Sequence, residues 1–173
     1  MNVLGYFKNV NTFVFDIDGV LTDGTVLLLE NGLQARRMHT KDGFALQLAV
    51  RRGYRVIIIS GAYSDPVLKR LQYLGLTEIF LAIKDKKVFL DGYLKENGID
   101  WGSVLFMGDD LPDTQVLALC GLSCCPSDAV PEVKKLSKYI SPFAGGTGCV
   151  RDVVEKVLKL HDHWSFDAEV VSK

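Results

Sequence analysis

Five short apolar runs, separated by segments of helical period, constrain this chain more than any other feature. They are "TFVFD" (12–16), "RVIIIS" (55–60), "EIFLA" (78–82), "VLFMGD" (104–109) and "LSCCP" (122–126). Each is rich in Val, Ile, Phe or Leu and bounded by Gly, Asp or Pro, the pattern of strands buried on both faces. Helices are expected at 43–52, 66–74, 86–97, 112–120, 130–136 and about 149–160. Such alternation produces parallel strands joined by right-handed crossovers, hence an α/β fold built as a three-layer, doubly wound parallel sheet. At 173 residues and 48% hydrophobic, the chain suits one domain over 1–173 and is short for two.

One helix is delimited by its own residues. In "SDPVLKRLQYLG", Asp65 is read as the cap, Pro66 as the first helical position and Gly75 as the stop. The segment "TVLLLENGLQARRMH" (25–39) breaks the alternation with two extended stretches around Asn31-Gly32, a dipeptide suited to positive φ in a tight turn. A β-hairpin flap is expected over about 25–38. Its "VLLL" stretch is too apolar to face water, which points to burial against another subunit or on the parent domain.

Composition excludes several partners. Twenty Lys and Arg against 21 Asp and Glu leave a formal charge of −1, with no global footprint for nucleic acid or an anionic membrane. The N-terminus lacks the basic start and apolar stretch of a signal peptide, and no run approaches the roughly 18 apolar residues of a membrane span. A cytoplasmic protein is expected. Cysteines 120, 124, 125 and 149 form no CxxC pair and are read as buried reduced thiols. His161 and His163, spaced i, i+2, diverge on a helix and are read as surface residues, and the tail from about 161 to 173 carries no pattern.

The polar residues fall where an open parallel sheet binds ligands, outside the carboxyl ends of its strands. Asp16 and Asp18 follow the first run, Ser60 and Gly61 the second, and Asp109, Asp110 and Asp113 in "MGDDLPD" a later one; Lys86 opens a helix. Carboxylates gathered at one edge repel unless a cation offsets them, and a hard divalent ion with oxygen ligands, Mg²⁺ first, is the natural partner for Asp16 and Asp109. Either acidic stretch alone is explained by helix capping. The ordered set is not.

The set resembles the haloacid dehalogenase superfamily. "DIDGVLTDG" is similar to its first motif, "IIISG" to its second, Lys86 in "KDK" to its third and "MGDDLPD" to its fourth. The resemblance implies phosphoryl transfer through an aspartyl-phosphate. Asp16 would be the nucleophile and Asp18 the acid and base. Asp16, the backbone carbonyl of Asp18 and Asp109 would hold Mg²⁺. Ser60, Gly61 and Lys86 would bind the phosphoryl group, with Asp110 and Asp113 orienting Lys86 or metal-bound water.

The short spans between these motifs leave no room for the cap domain that many members insert. A capless subfamily that includes 3-deoxy-D-manno-octulosonate 8-phosphate phosphatase shares the hairpin, "KDGFAL", "SGAYSDPVLKRLQYLGL", "GDDLPD" and "GGTGCVRDVV" as they stand here. That likeness implies a homotetramer in which a neighbour's loops complete each site, acting on a small phosphorylated sugar acid. Candidate substrate contacts are Thr40 and Asp42, which helix capping also explains, and Arg70 and Arg151, which solvated helix faces also explain. "GGTG" is read as a flexible turn whose amides could meet an anion.

The chain departs from the subfamily at Ala62, Thr147, Ala82 and Ile83, where Arg or Glu, Arg, Gly and Gln are usual. A broader-range phosphomonoesterase and a non-catalytic tetramer-forming module are the alternatives. A response-regulator receiver also gathers aspartates on an α/β sheet but has no use for Asp18.

Overall fold

The computed structural model describes residues 3–165, 167 and 170; the remainder of the expected tail lies outside the described residues. Six strands form one parallel sheet: β1 (Thr12–Phe15), β4 (Arg55–Ile59), β5 (Glu78–Phe80), β6 (Val104–Met107), β7 (Leu122–Cys125) and β8 (Tyr139–Ile140). The order across the sheet is β5-β4-β1-β6-β7-β8. Strands β2 (Leu27–Leu28) and β3 (Gln34–Ala35) pair separately as an antiparallel hairpin. The helices are α1 (Val3–Lys8), α2 (Thr40–Arg51), α3 (Asp65–Tyr73), α4 (Lys86–Glu96), α5 (Thr114–Leu117), α6 (Pro131–Leu136) and α7 (Cys149–Leu160).

The expected doubly wound α/β sandwich is therefore present, and alternation along each strand builds its two cores. Phe13, Phe15, Leu105, Met107 and Cys124 face Leu46, Ala49, Val150 and Val154 of α2 and α7. Val14, Ile57, Ile59, Phe106 and Cys125 face Leu90, Leu94, Val116 and Val133 of α4, α5 and α6. Cys124 and Cys125 thus part to opposite cores, and all four thiols are buried. Burial pushes the Cys120 thiol up to about 12, which keeps it protonated and unreactive.

Two short elements escape the sequence reading, α1 and β8, because six and two residues are too few to show a period. The α3 start also differs. Ser64, not Asp65, holds the N-cap position, without a side-chain capping bond; Asp65 is the first helical residue and pairs with Lys69 at 2.7 Å one turn on. Gly75, at φ +88°, follows the helix end as expected. No helix among the described residues is long and apolar enough to cross a membrane. His161 and His163 are exposed, and the described start of the tail folds back on the end of α2, where Arg52, the residue that follows the helix, donates from Nε to the His163 carbonyl at 3.1 Å.

The hairpin turn is a different type from the one expected. Gly32 alone takes positive φ, +80°, while Leu29 N donates to the Leu33 carbonyl and Gly32 N to the Leu29 carbonyl, each at 2.9 Å. That is a three-residue loop with a left-handed glycine, and Asn31 serves through its side chain, which accepts from Leu33 N at 3.1 Å. The leucines of the hairpin do not pack on its parent: Leu27, Leu28 and Leu33 are 64%, 74% and 63% exposed.

Candidate active site

The sheet order makes β1 central, flanked by β4 and β6, so the chain reverses its direction of winding there. Asp16 N donates to the Met107 carbonyl at 3.1 Å, extending the β1–β6 ladder by one residue and placing Asp16 beside the loop that carries Asp109. Ser60 follows β4 directly and is buried. These strand ends line a cleft of about 560 Å³ together with Asp18, Gly61, Ala62, Lys86 and Asp110.

At the floor lies a buried charge cluster. Lys86, the first residue of α4, places Nζ 2.9 Å from Asp16 Oδ1 and 2.6 Å from Asp113 Oδ1. The other oxygen of Asp113 accepts from the backbone N–H of Asp109 at 3.0 Å and of Asp110 at 3.4 Å. Asp113 thus fixes both the lysine and the loop that carries Asp109. Of the two carboxylates expected to orient Lys86 or metal-bound water, the structure brings Asp113 to Lys86 and not Asp110. Asp110 is exposed and accepts from Leu111 N at 2.7 Å, capping the turn Leu111–Asp113.

The electrostatics follow from burial. Burial, then the Asp113 charge, push the Asp16 carboxyl up to about 6 against the pull of Lys86. Burial and the neighbouring Asp16, Asp113 and Asp110 charges push Asp109 up to about 7. For Lys86, burial favours the neutral amine, but the two flanking carboxylates outweigh it and hold the group above its ordinary value.

Asp16, Asp109 and Asp113 offer carboxylate oxygens within 4.8 Å of one another. Since both Asp113 oxygens are engaged, Asp16 and Asp109 carry the ligand capacity, and an all-oxygen set of two carboxylates fits Mg²⁺, which retains several waters. The first loop is shaped to this pair. Gly19 sits at φ +83°, and a Cβ there would come within 2.0 Å of Asp109 Oδ2, so only glycine allows the backbone to pass the carboxylate.

The carboxyl values make cation binding pH-dependent, because a proton must leave each ligand that titrates. Mg²⁺ affinity, measured by titration calorimetry, should rise by about a hundredfold per pH unit below pH 6, where both carboxyls must lose a proton, by about tenfold between pH 6 and pH 7, and level off above pH 7. Without the cation the sign for stability is opposite. Folded-state values raised above 3.8 favour the fold at low pH, and that contribution is lost as pH rises through about 6 and 7. The melting shift produced by Mg²⁺ should therefore be larger at pH 8 than at pH 5.5.

The remaining sequence candidates lie elsewhere. Asp42 is buried, and its Oδ1 accepts from Arg151 N at 2.7 Å, so it caps α7 rather than its own helix. Thr40 is exposed and with Arg70 lines a second hollow beneath the hairpin. Arg151 lines a third, beside α7, and pairs with Glu155 at 3.1 Å. The "GGTG" amides are partly spent inside the fold: Gly145 N donates to Asp128 at 2.9 Å and Gly146 N to the Val20 carbonyl at 2.9 Å. That loop braces the turn after β1. Ala82 holds φ +58°, a left-handed conformation that glycine adopts without strain, and its N–H and that of Ile83 tie the loops after β4 and β5 together.

Sequence reasoning missed Arg36. Its Nε and Nη2 donate to the two oxygens of Asp18 at 2.7 and 3.3 Å. The legible signal was the "RR" pair beside a dense acidic segment; the neighbouring Arg37 pairs with Asp23 at 2.9 Å. Asp23 also accepts from Thr25 N at 3.0 Å, so it belongs to the turn into the hairpin. Bonds from Thr25 and then Arg37 hold its carboxyl down at about 2.

Residues 72–151 match the family of haloacid dehalogenase-like hydrolases. The 3-deoxy-D-manno-octulosonate 8-phosphate phosphatase KdsC of Escherichia coli (strain K12) is 31% identical over 157 residues, 91% of this chain and 84% of that protein. The crystal structure of the corresponding Yersinia pestis phosphatase superposes with a TM-score of 0.90 at 28% identity, covering 93% of this chain and 87% of that one. The Moraxella catarrhalis phosphatase, in complex with a magnesium ion, a phosphate ion and KDO, gives a TM-score of 0.88 at 31% identity, covering 91% and 90%. The chain belongs to the haloacid dehalogenase-like hydrolases, in the family of 3-deoxy-D-manno-octulosonate 8-phosphate phosphatases.

Proposed function

We propose that this protein is a Mg²⁺-dependent phosphatase that hydrolyses 3-deoxy-D-manno-octulosonate 8-phosphate or a related 2-keto-3-deoxy sugar phosphate. The observation that carries the reading is the Asp16–Lys86–Asp113 cluster beside Asp109 at the floor of the cleft. Bound Mg²⁺, held by Asp16 and Asp109 with the Asp18 carbonyl, would offset the charge of an incoming phosphate. Lys86 and the Ser60 hydroxyl would bind phosphoryl oxygens; Ser60 Oγ already accepts from Ala62 N at 3.1 Å, which leaves its O–H to donate. Asp16 would attack phosphorus in line, Asp18 would protonate the departing ester oxygen, and Asp18 would then take a proton from the water that hydrolyses the aspartyl-phosphate.

One observation favours a broader-range phosphomonoesterase. Ala62 lines the cleft and supplies a methyl group where a charged side chain would recognise a sugar carboxylate. Release of phosphate from a panel of 2-keto-3-deoxy sugar phosphates, hexose phosphates and nucleoside monophosphates decides between them. The narrow reading requires a kcat/KM for one sugar acid phosphate about 10²-fold or more above the rest; a flat profile overturns it.

The exposed apolar hairpin supports the homotetramer as part of this reading, with Leu27, Leu28 and Leu33 offered to a neighbouring subunit. Replacing Leu27 and Leu28 together by Glu should reduce the mass measured by light scattering. Because both side chains face outward, the stability of the separated chain should change by only about 0.5 kcal/mol.

A further inference from the structure

We propose that Arg36 is a positioning residue for Asp18, making the root of the hairpin the support of the carboxylate that moves protons. The inference rests on the phosphatase reading. Asp18 stands on a turn with its side chain 34% exposed, and no bond from its own loop is seen on its carboxylate among the described residues. The Arg36 fork spans it instead, one N–H to each oxygen.

A planar fork fixes the plane of a carboxylate as well as its place, which a point charge does not. A carboxylate has about four lone-pair sites, so two remain for proton exchange while the fork holds the others. Asp18 also lines the cleft.

The guanidinium is placed by the fold and is not a surface charge that happens to reach. Its side chain is 6% exposed, whereas Leu27, Leu28 and Leu33 of the same hairpin are more than half exposed. An arginine buried to that degree needs its counter-charge, and a bridge between Thr22 and Met38, with the Arg37–Asp23 pair, pins the backbone just after it. Asp18 and Arg36 therefore hold one another at the junction of catalytic loop and flap.

The chemistry sets the test. In the first half-reaction the Asp16–phosphorus bond forms, the ester P–O bond breaks and Asp18 gives its proton to the leaving oxygen. In the second, water oxygen bonds to phosphorus, the Asp16–phosphorus bond breaks and Asp18 takes the water proton. A nitrophenolate leaves without a proton, so p-nitrophenyl phosphate needs Asp18 only in the second half.

In Arg36→Met, kcat for an alkyl phosphate such as a sugar phosphate should fall by about 10²-fold with KM changed less than about threefold. With p-nitrophenyl phosphate the same variant should release a burst of nitrophenolate equal to the enzyme present, followed by slow turnover. Arg36→Lys, which keeps the buried charge and loses the fork, should show the burst as well and serves if Arg36→Met does not fold. In an Asp18→Asn background, either Arg36 change should cause less than about a twofold further loss.

A raised KM with unchanged kcat, absence of a burst, or a loss additive to that of Asp18→Asn overturns the proposal. Failure of the phosphatase reading is separate: the unaltered protein would then release phosphate from no ester in the presence of Mg²⁺.

Discussion

Replacing Asp16 by asparagine should abolish phosphate release from p-nitrophenyl phosphate, with kcat reduced by about 10⁴-fold or more, because an amide cannot attack phosphorus. The fold should survive. Asp16 is buried with its carboxyl pushed up to about 6, so at pH 7 the native protein bears the strain of a desolvated charge, and the amide removes it. Lys86 keeps Asp113 at 2.6 Å as its counter-charge. Circular dichroism and thermal melting should therefore match the parent within a few degrees while activity vanishes. Intact hydrolysis in this variant would sink the aspartyl-phosphate mechanism.

Lys86→Met should damage both activity and stability. The ammonium bridges two buried carboxylates, and its removal leaves Asp16 and Asp113 facing each other without a cation. Breaking a buried pair from one side typically costs about 3–5 kcal/mol. The sign with pH is defined: loss of Lys86 removes a group that lowers the Asp16 value, so the folded-state value rises further above 3.8. The penalty should be largest at alkaline pH and shrink as pH falls through the variant's own Asp16 value, which lies above the native value of about 6, because protonation of Asp16 relieves the repulsion. Urea unfolding at pH 5 and pH 8 measures this directly. A variant equally destabilised at both would show that Lys86 contributes through packing alone.

The parts of the fold legible in the chain were those written in local periodicity. The five longer strands of the sheet begin and end within two residues of their apolar runs, since a strand buried on both faces needs an unbroken series of Val, Ile, Leu or Phe. Three of the four motif segments were likewise placed at strand ends, because in a parallel sheet every strand points the same way, and the fourth, Lys86, at the start of a helix. The elements missed, α1 and β8, are too short to show a pattern, and the hairpin turn was misassigned because Asn-Gly serves more than one loop geometry.

Side-chain partnerships were less legible. Asp110 and Asp113 are equivalent as letters, yet the tight turn Leu111–Asp113 directs one to solvent and folds the other under its own loop to meet Lys86. Asp42 read as a substrate contact or a cap of its own helix, and caps α7 109 positions away because α2 and α7 pack together on one face of the sheet.

The sequence by itself determined that a doubly wound parallel sheet would carry Asp16, Ser60, Lys86 and Asp109 to one edge, since strand direction and burial depend on neighbours a few residues apart. Only the tertiary structure decided that Asp113 would hold Lys86, that Arg36 would grip Asp18, and that the hairpin leucines would stand exposed. Those outcomes depend on angles at turns and on which faces meet across long separations, and residue identity alone does not set them.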